Sequence, residues 1–196
     1  MGEALISKMS KVPSLLVAMP QLEDPNFHQS VVLMLNHDET GSFGVVVNRP
    51  TELVMGELEL RDRTLAPVLN KLPVWYGGPV EAERIMFLVR GPSQPLSSVV
   101  IADDIYLGGT LEFIAEKMTQ EMEAQKQAWD FRAYSGYSGW TAGQLDQELA
   151  VSSWLLAPFD PQVLFATPPE AMWARTVKSL GLDPSQLATE TSWTLQ

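Results

Sequence analysis

The chain has 196 residues, and its hydrophobic fraction of 45% is too high for a disordered protein. No apolar run approaches the roughly 20 residues that a membrane helix needs. It has no cysteine and two histidines, which excludes disulfides, thiolate nucleophiles and cysteine-based or histidine-rich metal centres. The net charge of −11, from 24 acidic and 13 basic residues, argues against non-specific binding to nucleic acid or to anionic membranes.

Short β-branched and apolar runs bounded by turn residues predict strands through most of the chain. The predicted strands are Ser14–Met19, Ser30–Asn36, Phe43–Asn48, Val74–Gly77, Ile85–Arg90, Ser98–Ala102, Ile105–Leu107, Trp129–Ala133 and Trp154–Ala157. The second and third flank a turn that contains Gly41, which predicts a hairpin. Residues 51–70 are ambiguous, and their leucines (Leu53, Leu58 and Leu60) fit a short helix.

Three helices are predicted, each with a threonine at its start: Thr110 to near Gln127, Thr141 to about Ser152, and Thr167 to Leu180. Gln144 stands three residues after Thr141, as in a capping box. Two prolines follow Thr167, which favours an N-cap there, and Gly181 is a typical helix stop.

The order of these elements predicts an α+β fold, because strands come in hairpins and runs while the helices concentrate later. We expect one compact domain over residues 1–196, with its core at about 14–182, loosely held termini and about three to four helices.

A polar loop after the first strand contains Asp24 and His28, which could place a carboxylate near an imidazole. Together with Glu148 they are the candidate catalytic residues of a hydrolase or transferase. The structural alternative is that Asp24 caps a turn and Phe27 anchors the loop in the core.

A second group of polar residues lies at strand ends and helix starts. Arg49 could clamp a carboxylate or phosphate, or pair internally with Asp24 or Glu23. Trp140 stands where a nucleophile elbow around Ser138 would need glycine, so that motif is absent. An exposed Trp140 would suit a ligand or partner, whereas a buried one would belong to the core. The residues predicted to share one ligand or partner surface are Asp24, Asn48, Arg49, Trp140 and Gln144.

Other polar motifs predict little chemistry. His37, Asp38 and Glu39 are metal-capable but adjacent in a turn, which favours a solvated turn over an ion site. The glycine pairs at Gly77 and Gly108 match no phosphate-binding loop. We therefore expect no metal site and no cofactor.

Several segments, in matching order, resemble the AlgH/YqgE family of bacterial proteins. They are Leu15–Pro20, Asp24–Phe27, Ser30–Val32, Gly41–Pro50, Gly77–Val80 and Gly136–Trp140 with Gly143–Leu145, Glu148, Trp173 and Leu180–Leu182. The resemblance implies an α+β domain with a mixed, barrel-like sheet. It implies no particular reaction, and the transcriptional-regulator label of the family rests on a phenotype.

The sequence thus favours a non-enzymatic binding or regulatory protein of the cytoplasm, with an unidentified protein or small molecule as partner. A hydrolase or transferase using Asp24, His28 and Glu148 is the alternative. A regulator that contacts DNA is disfavoured, because the chain is acidic and has no basic cluster.

Overall fold

The computed structural model describes residues 13–58 and 67–189, which fall into two compact units. Of the described residues, the first unit contains 13–49, 77–80 and 137–189. The second contains 50–58, 67–76 and 81–136.

The predicted α+β class is confirmed. The strands are β1 Ser14–Ala18, β2 Val31–Asp38, β3 Gly41–Val46, β4 Pro50–Val54, β5 Pro73–Tyr76, β6 Val80–Arg90, β7 Ser98–Ala102, β8 Ile105–Gly108, β9 Asp130–Thr141 and β10 Trp154–Pro158. The α-helices are α1 Leu111–Ala124, α2 Gln144–Ala150, α3 Pro161–Ala166, α4 Pro169–Ser179 and α5 Pro184–Thr189. Three of these five helices in the described residues have seven residues or more, against a prediction of about three to four.

The first unit is organised around two strands that are buried along their length. β1 is buried at all five residues, and β2 is buried at its first four. The strands run antiparallel in the order β10, β1, β2, β3 and the end of β9. Each buried aliphatic side chain in them contributes about 1.5–3 kcal/mol relative to exposure. Helix α4 is fastened to β1 by the Trp173 indole, which donates a hydrogen bond to the Ala18 carbonyl at 2.7 Å.

The predicted hairpin is confirmed as β2 and β3, which pair antiparallel from Asp38↔Gly41 onward. Its turn is held by the Asp38 carboxylate, which accepts hydrogen bonds from the Thr40 hydroxyl at 2.6 Å and the Thr40 N–H at 2.8 Å. These bonds, with one from Asn36, lower the pKa of Asp38 to about 2. Gly41 takes the positive φ of 144° that the turn requires.

The second unit has a mixed sheet, because β5 pairs antiparallel with β4 and parallel with β9. β9 is followed in the sheet order by β6, β8 and β7, which ends the row. Helix α1 supplies Ile114 to a core that also contains Phe87, Val89 and Trp129. The Thr110 N-cap of α1 is confirmed, since its hydroxyl accepts the Phe113 N–H at 3.2 Å.

Two predicted boundaries around residue 140 are wrong. β9 has 12 residues and does not stop at Ala133, so the glycines of 135–140 lie within a strand and not in a tight turn. The following helix begins at Gln144, preceded by Gly143 at φ 73°. Thr141 therefore ends β9, although its N–H does bond to the Gln144 side chain at 3.1 Å, as a capping-box partner would.

The start of the last long helix is also corrected. The N-cap of α4 is Pro168, while Thr167 follows a short helix, α3, that the prediction missed. Asp160 caps α3 by accepting the Gln162 N–H at 2.8 Å. The Asp-Pro pair at 160–161 was the available signal for this helix.

In the ambiguous stretch, residues 50–54 form β4, followed by a 3-10 turn at Met55–Glu57. The short helix predicted as one possibility for this stretch is therefore wrong at Leu53, which lies in β4. Leu60 lies outside the described residues. The tail predicted to be loosely held contains α5.

Gly78 marks a close approach of two backbone segments in the first unit. A Cβ atom built on Gly78 would lie 2.2–2.4 Å from backbone atoms of Tyr137 and Ser138. Because backbone atoms have little room to move, any side chain here would displace the start of β6 or the middle of β9.

Thr167 tests the corrected helix boundary. Its hydroxyl donates to the Gln162 carbonyl at 2.8 Å and accepts from Arg175 at 3.0 Å, in a buried position. We expect Thr167→Val to lose about 1 kcal/mol of unfolding free energy, and Thr167→Ser to stay near wild type. Denaturant unfolding measures both. An N-cap at Thr167 would instead make Thr167→Asn harmless, whereas the observed hydrogen bonds predict that it destabilises.

Candidate functional site

The loop between β1 and β2 is shaped by its own polar groups. The Asp24 carboxylate accepts the Asn26 N–H at 2.8 Å, and the Asp24 carbonyl accepts the Phe27 N–H at 2.9 Å. Ser30 N–H then bonds to the Phe27 carbonyl at 2.9 Å. Asp24 thus caps a turn, which was the structural alternative to its catalytic role. The side chains of Asp24 and His28 are exposed.

Asn48 and Arg49, which follow β3, hold the backbone of this loop. The Asn48 amide donates to the Gln29 carbonyl at 2.9 Å and accepts the Val31 N–H at 2.8 Å. The Arg49 guanidinium donates to the His28 carbonyl at 2.9 Å and to the Pro25 carbonyl at 3.3 Å. Gln29 itself adopts a φ of 51°, an uncommon left-handed conformation for a residue with a side chain. We call residues 21–29 the β1–β2 loop.

An aromatic cluster lies beneath the β1–β2 loop. The ring of Phe27 is 6.3 Å from that of Trp140, nearly parallel to it, and 5.3 Å from that of Trp154, edge to face. The two indoles are themselves 5.8 Å apart. Trp140 is only 7% exposed. Its proposed place on a ligand surface is therefore corrected: it belongs to the core under the loop.

Glu148 joins the two tryptophans from helix α2. Its Oε2 accepts both indole N–H groups, from Trp140 and from Trp154, each at 2.8 Å. Its Oε1 accepts the side-chain amide of Gln144 at 2.9 Å. Both oxygens of this candidate catalytic carboxylate are therefore engaged in structural hydrogen bonds.

The structure thus brings the predicted residues together in two sets. Trp140, Gln144 and Glu148 are linked by hydrogen bonds, while Asn48 and Arg49 bind the backbone of the loop that contains Asp24 and His28. Phe27 connects the two sets through its ring contacts. This agrees with the structural alternative drawn from the sequence, in which Phe27 anchors the loop in the core.

His37 was predicted in a solvated turn, and that expectation is wrong. It lies on β2 with its side chain 14% exposed, and its Nδ1 is 2.6 Å from the hydroxyl of Ser42, its partner across the hairpin. Its Nε2 is 3.5 Å from the Asp146 carboxylate on α2. The available signal was the two-residue turn, which places His37 and Ser42 on one face.

This serine, imidazole and carboxylate have the order of a hydrolase triad, but the surroundings favour a structural role. Ser42 is buried, and its strand pairs with β2 on one side and β9 on the other. Its backbone groups are thus committed to the sheet. An oxyanion site needs N–H groups that are free to donate to the substrate, and the Ser42 N–H is not. Ser42 and His37 join the two strands of the hairpin by a hydrogen bond, whereas Asp146 Oδ1 on α2 is in contact with His37 without forming one.

The second unit has a cleft of about 450 Å³ that contains none of the predicted site residues. On its wall Arg90 pairs with Asp104 at 2.8 Å, and Asp130 lies beside Trp129. Burial raises the pKa of Asp130, and the charges of Arg132 and Arg90 partly oppose the rise.

Neither a metal site nor a membrane span is found in the part of the chain that the structure describes. Residues 13–58 and 67–189 hold no group of three or more acidic or histidine side chains placed to bind a metal ion. Over the same residues, no helix combines the length and apolar character needed to cross a membrane.

The fold and these residues define a member of the AlgH-like family. The family model, described as DUF179: AlgH-like, matches residues 15–185, and the chain belongs to this family.

Relatives in the family match nearly the whole chain. A UPF0301 protein of Thioalkalivibrio sulfidiphilus is 38% identical over 174 residues, covering 88% of this chain and 91% of the relative. A UPF0301 protein of Vibrio parahaemolyticus is 34% identical over 182 residues, covering 89% and 94%. The solution structure of the AlgH protein from Pseudomonas aeruginosa is 30% identical, with a TM-score of 0.69, over 93% of this chain and 94% of that one.

The Glu148 contacts predict a large loss of stability on truncation. Glu148→Ala leaves two buried indole N–H groups without an acceptor, and we expect a loss of about 2–4 kcal/mol of unfolding free energy. Glu148→Gln keeps one acceptor oxygen and should lose less. Denaturant unfolding followed by tryptophan fluorescence measures the difference.

The matched control for Glu148 is Gln147→Ala, at the preceding, exposed position of α2. It should change the unfolding free energy by less than about 0.5 kcal/mol. A Glu148→Ala variant as stable as this control would contradict the structural role of the carboxylate.

Proposed function

We propose that this protein is a non-enzymatic binding protein whose β1–β2 loop, residues 21–29, is its recognition surface. The observation that carries the proposal is that Asn48 and Arg49 direct four hydrogen bonds to the backbone of this segment and of the first residue of β2. These bonds fix the loop to the sheet, and loops positioned by a rigid scaffold are common binding elements.

The value of this arrangement for binding is entropic. A loop that is already ordered loses less conformational freedom when a partner binds, so more of the interaction energy appears as affinity. Phe27 adds a second anchor, since its ring packs on Trp140 while its neighbours Asn26 and His28 remain exposed.

The chemistry of the loop suggests the kind of partner. Glu23 and Asp24 are exposed next to His28, and the whole chain has a net charge of −11. A basic patch on a protein, or a cationic group of a small molecule, complements such a surface.

The hydrolase or transferase alternative loses support from the same contacts. Both oxygens of Glu148 accept N–H donors, and Asp24 accepts a hydrogen bond within its own turn. A general base must be within reach of a substrate proton. Of the three candidates, Asp24 and Glu148 have carboxylates in the structural hydrogen bonds described above, and the His28 side chain does not take part in these bonds.

Photocrosslinking tests the recognition surface. With a photoreactive phenylalanine analogue at His28, we expect a discrete covalent adduct in cells of the source bacterium. The same analogue at the exposed Glu170 on α4 should give none. Adding Arg49→Met to the variant with the analogue at position 28 should strongly reduce the adduct. The loop then loses the hydrogen bonds that Arg49 donates to the Pro25 and His28 carbonyls.

Circular dichroism must first show that each crosslinking variant folds like the wild type. Equal adducts at both positions, or no adduct at His28, would refute the loop as recognition surface.

DNA binding is the less supported alternative and has its own test. Because of the charge of −11, we expect no detectable binding to random duplex DNA at physiological salt. Fluorescence anisotropy is the measurement, and micromolar affinity that falls steeply with added salt would overturn the expectation.

We also propose that the protein carries out its binding role in the cytoplasm, which cell fractionation tests.

A further inference from the structure

The end of the sheet in the second unit is unusually apolar. Strand β7 pairs with β8 on one side and is the last of the described strands in the row. Of the seven large apolar residues that are exposed in the described part of the chain, three lie in or beside it: Leu96 at 78%, Val99 at 63% and Val100 at 53%. Neighbouring residues of a strand point to opposite faces, so Val99 and Val100 leave both faces of this edge exposed. The Gln94 side chain donates to the Ser98 carbonyl at 3.0 Å, which leaves that oxygen a second lone pair.

Native sheet edges are usually protected against pairing with other strands by lysines, inward charges or bulges. Residues 91–102 contain no charged residue. The irregular register between Val100 and Ala102 interrupts the strand near its end and leaves Ser98–Val100 regular. That regular stretch is short and uncharged, and two of its three residues are valines.

We propose that β7 pairs antiparallel with β7 of a second copy of this chain, forming a twofold homodimer. A twofold contact brings the same surface of both copies together. Most of an acidic chain with a charge of −11 would repel itself in such a contact, whereas residues 91–102 would not. An axis at Val99 places this residue opposite its own copy and Asp103 opposite Pro95, an uncharged residue of the second copy. This inference does not rest on the proposed function, since it uses none of the β1–β2 loop.

The oligomeric state of the full chain tests the proposal. We expect sedimentation velocity, over about 2–200 µM protein, to show a monomer that converts to a dimer as concentration rises. Raising the salt should preserve or strengthen the dimer, because screening reduces the repulsion between the acidic copies and weakens no attractive ion pair.

Matched substitutions locate the contact. Val99→Lys should give a monomer throughout the concentration range, because it places two like charges at the axis. Met122→Lys on α1, at a residue 67% exposed, is the control and should dimerise like wild type.

The absence of cysteine allows a second readout. Val99→Cys should form a disulfide-linked dimer under mild oxidation, because the axis places the two copies of residue 99 opposite each other, while Met122→Cys should not. A wild-type chain that stays monomeric at every concentration overturns the proposal, even if another protein binds β7. A dimer that survives Val99→Lys overturns it as well.

Discussion

One carboxylate oxygen that accepts two indole N–H groups is the interaction on which the first unit depends most. A buried N–H without an acceptor costs about 1–3 kcal/mol, so each tryptophan can be buried here only with a partner. Glu148 provides that partner to both Trp140 and Trp154 at 2.8 Å. Through it, helix α2 is joined to β9 and to β10, which belong to opposite ends of the antiparallel row.

The β1–β2 loop depends on this cluster in turn. Phe27 packs on both indoles, and the loop backbone on either side of it is bound by Asn48 and Arg49. The Phe27 ring below the loop and the hydrogen bonds to its backbone restrict the loop, while the His28 side chain stays exposed. Asn48 and Arg49, two of the polar residues predicted to share a binding surface, therefore hold the backbone of this loop.

Turn and cap motifs correctly predicted the elements that are held by hydrogen bonds between residues close together in the sequence. The hairpin of β2 and β3 is closed by a two-residue turn, and the Thr110 cap bonds to Phe113 within the same helical turn. Thr167 had an equally good local pattern, but the N-cap predicted there is wrong. Its hydroxyl bonds to Gln162 and Arg175 instead of capping α4. A cap pattern identifies a residue able to cap, while tertiary contacts decide whether it does.

The sequence by itself determined the α+β class, the family and the acidic, cysteine-free character of the chain, because these follow from composition, order of elements and short motifs. Only the tertiary structure decided that Trp140 is core, that Glu148 accepts two indole N–H groups and that Arg49 donates to backbone carbonyl groups. The physical reason is that a side chain's role depends on which donors and acceptors reach it. The bonds from Arg49 span 24 and 21 residues of sequence, and no local pattern records such partners.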